Sequence, residues 1–438
     1  MAKLVDHPVL DYVRGLPAYQ QLLEQLREGG FKDQERFGLG LPRASRLAVL
    51  TGLHVDLQVP VVLLTNRADR ALELYDELSF WLPEGNNLYF PEPNPLFYEN
   101  LPWSESTRRE RLHVLTELAK YLLPGAEPSA APPVIIAPIR AVMTRTVPRR
   151  DFLRASQRLS LGDQRDLQEL ARSWVGLGYQ YSNIVVQPGQ FSRRGGILDI
   201  WSPAEEMPVR IEFFGNEIDT LKHFDPSTQR TVNALEKTFI FPASEALPLA
   251  AEKKGLLTEG LSEFEIPQLY DFPSSVMDYL PSQTLILLDG EEFVIAAIND
   301  IEEEAVARFQ SLVEQKALPE DFPLPYITWS EIEDSFTHHQ VLELGHTNAF
   351  GLRPLAAAFD PGPRFAGRLK EFQAHLQELE HKGEPWIVVS RQAARLRQLW
   401  QEYNPELNAE TAEALFVEGS LSGGWELTLA NGLRHHLL

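Results

Sequence analysis

Two stretches of this 438-residue chain place side chains at spacings that suit nucleotide chemistry. The first, Gly38-Leu39-Gly40-Leu41-Pro42-Arg43-Ala44-Ser45-Arg46, opens a helical run. A phosphate-binding loop of the form G-x-x-x-x-G-K-S/T uses its glycines to turn backbone N–H groups onto the phosphates. Its Lys reaches the β- and γ-phosphates, and its hydroxyl holds Mg2+. Gly38, Gly40 and Ser45 supply parts of that pattern, but no lysine in the chain follows a glycine. Pro42 has no N–H to offer, and Arg43 carries a branched guanidinium at the wrong register. The second stretch, Asp289-Gly290-Glu291-Glu292, follows an apolar run, where a Mg2+-holding or water-activating acid would stand. Asp289 and Glu291 equally suit the start of a helix, where carboxylates offset the positive end of the dipole. Without the lysine, that second role is the expectation, with no catalytic residue, metal or cofactor in this chain.

A third stretch offers recognition instead. Along Val209–Phe214, the residues Val209, Ile211 and Phe213 point one way and Arg210, Glu212 and Phe214 the other. An arginine, a carboxylate and a large aromatic on the outer face of a rigid sheet have the composition of a protein-binding hot spot. The same charges would also keep a plain antiparallel meander soluble. Arg193-Arg194-Gly195-Gly196 is expected to open a strand over Gly195–Trp201, with two guanidinium groups beside it. Ser202–Pro208 reads as a loop, Gly215-Asn216 as a two-residue hairpin turn, and Asp225-Pro226-Ser227 as the turn that ends a third strand.

Composition narrows the function classes. Hydrophobic residues make up 44% and charged residues 23%, as in ordinary globular domains. With no cysteine there are no disulfides, zinc fingers or thiol nucleophiles, which suits the cytoplasm. The opening Met1–Asp6 has no leader pattern, and no run reaches bilayer-spanning length. A net charge of −22 opposes nucleic acid as the main partner of this chain. The local exception is Arg140, Arg145, Arg149, Arg150, Arg154 and Arg158, opposed only by Asp151. That cluster could touch phosphate, pair within the protein or sit in solvent, and the overall charge favours the last two. The pairs His338-His339 and His435-His436 lack zinc-site spacing and read as surface residues.

Parallel α/β architecture must position these stretches. Val61–Thr65, Leu88–Phe90, Val134–Ala137 and Thr284–Leu288 are short apolar strands. Helical patterns over Ala68–Leu82, Ser104–Leu122 and from Asp289 to about Lys316 alternate with them. The meander interrupts that alternation, so the expectation is one α/β domain with a β-rich insertion. Pro319–Trp329 reads as a semi-rigid linker. A further strand at Trp386–Val389, a helix over Arg391–Tyr403 and strands at Trp425–Leu429 and Leu433–Leu438 follow. An end in mid-strand suggests a longer protein.

The strings RRGGILDIW, PVRIEFFGNEID and FDPSTQR, in that order, resemble the second domain of the UvrB and transcription-repair coupling factor (Mfd) families. The resemblance implies a degenerate P-loop, UvrB-like parallel-sheet domain (residues 1–146 and 246–318) with an inserted antiparallel α+β domain (147–245). A linker (319–330) and a small C-terminal α/β domain (331–438) would follow. It implies UvrA as partner, with Arg194, Arg210 and Phe214 as contacts and Arg193 and Glu212 beside them. The implied function is recruitment of UvrA to stalled transcription complexes in excision repair, without ATPase activity of this region. RNA polymerase and DNA would be met by domains beyond residue 438 that carry an ATP-dependent DNA translocase, and another domain could mask the UvrA face. The alternative is a UvrB-related, ATP-dependent helicase module acting on damaged DNA. Against it, Tyr89–Trp103 is short and proline-rich where a damage-binding hairpin would project.

Overall fold

The computed structural model describes residues 8–29, 37–83, 85–345, 353–403, 415–429 and 431–438. The opening Met1–Asp6 lies outside them. Six strands form a wholly parallel sheet in the order Phe37–Gly38, Gln340–Glu343, Leu285–Leu288, Val61–Thr65, Val134–Pro138, Asn87–Tyr89. The strands Leu285–Leu288, Val61–Thr65 and Val134–Pro138 are buried at every position because both faces of the sheet are covered. The period of two then divides them between two cores. Val62, Leu64, Ile135, Ile286 and Leu288 pack with the helices Glu105–Lys120 and Glu291–Glu314. Val61, Leu63, Ile136, Leu285 and Leu287 pack with Arg46–Leu57 and Ala68–Trp81.

The strand Gln340–Glu343 lies beyond the expected linker, yet it belongs to this sheet. Its apolar run is too short to read as a strand by itself, and tertiary pairing with Leu285–Leu288 decides the matter. The segment Tyr89–Trp103 does not project. Phe97, Tyr98 and Trp103 fold back and are buried in the first core.

The insertion is a six-stranded sheet ordered Thr231–Leu235, Glu217–Phe224, Val209–Phe214, Ile197–Ile200, Gln190–Arg194, Gln180–Tyr181. All neighbours are antiparallel except the last pair. Helix Leu167–Gly176, capped by the Asp166 carboxylate, lays Leu167, Leu170 and Trp174 against Leu198, Ile200, Val209, Ile211 and Leu221. The chain enters and leaves this unit through an antiparallel pair, Gln157–Ser160 with Lys237–Ile240.

One local expectation is corrected. Arg193 and Arg194 end a strand, and Gly195-Gly196 is the turn that pairs Arg194 with Ile197. Gly195 takes φ +60°, and a Cβ on Gly196 would lie 3.2 Å from the Phe213 carbonyl oxygen. Both glycines therefore serve the turn and the close crossing, and the strand begins only at Ile197. At the next hairpin only Gly215 has positive φ (+64°), the requirement of a type II′ turn.

The remaining unit is a five-stranded mixed sheet, Phe359–Pro361, Trp425–Thr428, Arg434–Leu437, Trp386–Val389, Phe416–Val417. Phe359, Ile387, Trp425, Leu427 and Leu437 join the core that holds helix Arg46–Leu57, so this sheet and the parallel sheet share one apolar interior. His339, His435 and His436 are buried, against the surface reading. The last two sit on an interior strand, where His436 lies 2.9 Å from Glu384 and 3.6 Å from Glu426. His435 packs on Tyr12 at 4.6 Å between ring centroids. Among the described residues no helix is long and apolar enough to cross a membrane.

Candidate functional site

The strand Val209–Phe214 keeps the predicted alternation. Val209 and Ile211 are buried, Phe213 packs on the same core, and Phe214 is 83% exposed. The ladder brings the outer-face residues into rows. Ser192, Asp199, Arg210 and Lys222 form one row, and Arg194, Ile197, Glu212 and Thr220 the next. Phe214 stands beyond them beside the hairpin. At about 3.4 Å per residue and 4.8 Å per strand, Arg210 and Phe214 are roughly 13 Å apart, with Arg194 about 10 Å to one side. Arg194, Arg210, Glu212 and Phe214 therefore share one face. Arg193 pairs with the core residue Leu198, so it has the opposite parity and stands apart from them.

Arg210 is not a loose surface charge. Its Nε and Nη2 donate to the two oxygens of Asp199 at 2.7 and 2.9 Å, and Asp199 is 1% exposed. That bond raises the Arg210 pKa above its ordinary value. The guanidinium also donates to the Gln229 carbonyl at 3.3 Å and lies 4.5 Å from the ring centre of the buried Phe224. Only the rim of the group meets solvent, in a fixed orientation. Glu212 pairs with Lys222 at 3.3 Å, and Arg194 donates to the Asn183 carbonyl at 3.3 Å while remaining exposed. The arrangement is a pinned cation, an exposed cation and an unburied ring on a rigid sheet. It can bind a complementary surface, and it presents no nucleophile or acid–base pair.

Residues that the sequence reading did not name frame this face. The segment Asn183–Gln187 folds over part of it, burying Val185, whose carbonyl accepts from Gln229. The same segment leaves Ile184 and Val186 exposed. The signal was the apolar triplet Ile184-Val185-Val186 next to polar residues, in which only the middle member is covered.

The Gly38–Arg46 segment is committed to other bonds. Leu39 and Leu41 N–H groups donate to the carbonyls of Glu343 and Leu344 at 2.8 and 2.7 Å, extending the parallel sheet. The Ser45 hydroxyl donates to the Pro42 carbonyl at 3.0 Å. Gly40 has φ +64°, and Arg43 is exposed in a short helical turn, Arg43–Ser45. Asp289 is buried and clamped by two arginines, Arg46 and, at 2.7 Å, Arg70. Glu291 starts the helix Glu291–Glu314, and its N–H is met by the buried Glu343 carboxylate at 2.8 Å. Asp289 thus works as the anion of an internal ion cluster, and Glu291 as a first-turn carboxylate.

The arginine run divides. Arg140 pairs with Glu92 at 3.4 Å, and Arg145 donates to the Pro267 carbonyl at 3.5 Å, its pKa lowered by burial. Arg149, Arg150, Arg154 and Arg158 are exposed.

Comparison with known proteins agrees with this geometry. Residues 158–245 match the UvrB interaction domain family. The transcription-repair-coupling factor of Bacillus subtilis (strain 168) is 26% identical over 354 residues, 72% of this chain and 29% of that protein. That of Myxococcus xanthus is 33% identical over 240 residues, 53% of this chain and 19% of that protein. That of Staphylococcus haemolyticus (strain JCSC1435) is 22% identical over 480 residues, 96% of this chain and 39% of that protein. The chain thus matches well under half the length of each of these relatives. Residues 158–245 thus match the UvrB interaction domain, and almost the whole chain is similar to part of the transcription-repair-coupling factors.

Proposed function

We propose that this chain is the recruiting region of a coupling factor, and that the outer face carrying Arg194, Arg210 and Phe214 docks UvrA. One observation carries the reading: Phe214 is 83% exposed on a regular strand of the matched interaction domain. A ring held in water at the edge of a charged face gains by being covered. Glu212 belongs to the same face, and Arg193 would contribute only from the hairpin end. In this reading the parallel-sheet domain is a UvrB-like motor that has lost its nucleotide site. The N–H groups of Leu39 and Leu41 are spent on the sheet, and Asp289 is neutralised by Arg46 and Arg70. ATP-driven translocation on DNA and contact with RNA polymerase then belong to the rest of the protein. The cytoplasm is the compartment that fits such a partner.

The test is titration of the chain with UvrA, wild type beside Phe214→Ala. Loss of affinity with unchanged folding is expected, and equal affinity would remove the proposal. In parallel, the chain with Mg2+ and ATP is expected to release no phosphate above a blank. Turnover abolished by Asp289→Asn would favour the motor reading instead.

A further inference from the structure

The UvrA-docking face leaves unused a cleft of about 840 Å3 between the parallel-sheet domain and the C-terminal sheet. That volume lies in the range of small-molecule sites. One wall is the Pro42–Ala44 segment with helix Ala68–Trp81, and the other is Pro361–Arg364, Arg391 and Ser420–Gly424. Four arginines line it, and three of them, Arg43, Arg364 and Arg391, come from three separate segments at its mouth. All three are exposed, and none forms an ion pair with a described residue. In a chain of net charge −22, such a meeting of unneutralised guanidinium groups in one hollow is uneven.

The inner wall adds to it. Arg70 pairs there with Asp289 at 2.7 Å and with Glu73 at 3.4 Å, so what this wall adds is a donor and not a net charge. Arg70 lines the cleft, and its Nη2 is buried without an acceptor. An unpaired buried donor calls for an explanation, and an anion in the cleft supplies one. The rim is fixed in shape. The Gly362 N–H donates to the Gly424 carbonyl at 3.0 Å, and a Cβ on Gly362 would lie 2.7 Å from the Gly424 carbonyl carbon. The two rim loops are therefore held together, which fixes the wall that carries Arg364.

We propose that this cleft binds a small phosphate-bearing anion, gripped by Arg43, Arg364 and Arg391. A nucleic acid fits less well. Glu73, Asp76 and Glu77 line the helical wall, and the chain carries a net charge of −22, so a long polyanion would be repelled where it leaves the cleft. A short anion stays inside. Planar guanidinium forks suit phosphate oxygens better than ammonium groups do, and lysine is absent from the lining.

The test is calorimetric titration of the full 438-residue chain, without Mg2+, with inorganic tripolyphosphate and, separately, with glucose 6-phosphate. The two probes distinguish a polyphosphate from a phosphomonoester ligand. Saturable one-site binding of either is expected, weakened about tenfold in Arg364→Gln and in Arg391→Gln and unchanged in Arg149→Gln. The two cleft positions are exposed, so matching melting curves are expected for the variants. No saturable binding to either probe would overturn the proposal. So would equal binding by the double variant Arg364→Gln/Arg391→Gln. Tighter binding of single-stranded DNA through the same two arginines would overturn the small-anion assignment. None of these readouts involves UvrA, so the docking proposal stands or falls separately.

Discussion

Removing the Phe214 ring separates binding from folding more cleanly than any other change on the outer face. The side chain is 83% exposed and belongs to none of the packed cores. Phe214→Ala should therefore leave stability within about 0.5 kcal/mol of the parent. Covering a whole phenylalanine side chain is worth about 1.5–3 kcal/mol, and most of this ring is available to be covered. The expected loss on docking is about 2 kcal/mol, or roughly thirtyfold in Kd. Calorimetry or surface plasmon resonance against UvrA, with a urea titration of the same samples, measures both quantities. A loss below about twofold with equal unfolding midpoints would refute the reasoning, since it would mean that the ring stays in water in the complex. A large fall in stability would refute the other half, since nothing on the folded side holds the ring.

Arg210→Ala behaves differently: it strands the buried Asp199 carboxylate, so about 3 kcal/mol of stability should go with it, read by urea unfolding. The double variant Arg210→Met/Asp199→Asn should recover a large part of that loss while still binding UvrA weakly. Arg111 is fully buried, donates to both oxygens of Glu245 at 2.7 and 3.2 Å, and lies 4.2 Å from the Phe90 ring centre. Arg111→Ala should cost about 3–5 kcal/mol or abolish soluble expression. Glu77 is buried where it accepts the Ser422 N–H, and burial raises its pKa above 4.5, opposed by that bond and by Arg70. The folded state then holds the proton more tightly than the unfolded chain, so this group lowers stability as pH rises from its unfolded value through its folded one. Glu77→Gln, which keeps the acceptor, should remove that fall, seen as a higher Tm at pH 7 and an unchanged one below pH 4.

The strands of the parallel sheet were legible because burial on both faces leaves continuous apolar runs. Val61–Thr65 and Trp386–Val389 were bounded to the residue. The helical pattern over Ser104–Leu122 was legible too, and Ser104 proves to be its cap, its hydroxyl accepting the Thr107 N–H at 3.1 Å. Gln340–Glu343 was not legible, because its strand identity comes from a partner more than fifty residues away. The burial of His435 and His436 was hidden for a related reason. Two histidines in sequence look polar, while Glu384 and Glu426, which meet His436, arrive from other strands and loops. On the outer face, periodicity gave the side on which Arg210, Glu212 and Phe214 stand. It could not give the state of Arg210. The register that sets Asp199 opposite Arg210 depends on a turn at Gly195-Gly196, which reads from the sequence as the start of a strand.

The short antiparallel pair at the base of the insertion brings Gln157–Ser160 and Lys237–Ile240 side by side, with backbones about 5 Å apart. A unit whose entry and exit are neighbours breaks the host's chain path by only one small gap, even though Lys120 of the host pairs with its Glu205 at 3.5 Å. It can be lost, acquired or exchanged without threading a new path through the parallel sheet. Its face can diverge toward a different client while the host core is untouched. The same base limits how far the unit can swing, because two paired strands resist twisting where a single linker would not. Heredity and mechanics are thus set at one place: the unit is portable between proteins, yet within this one it is aimed.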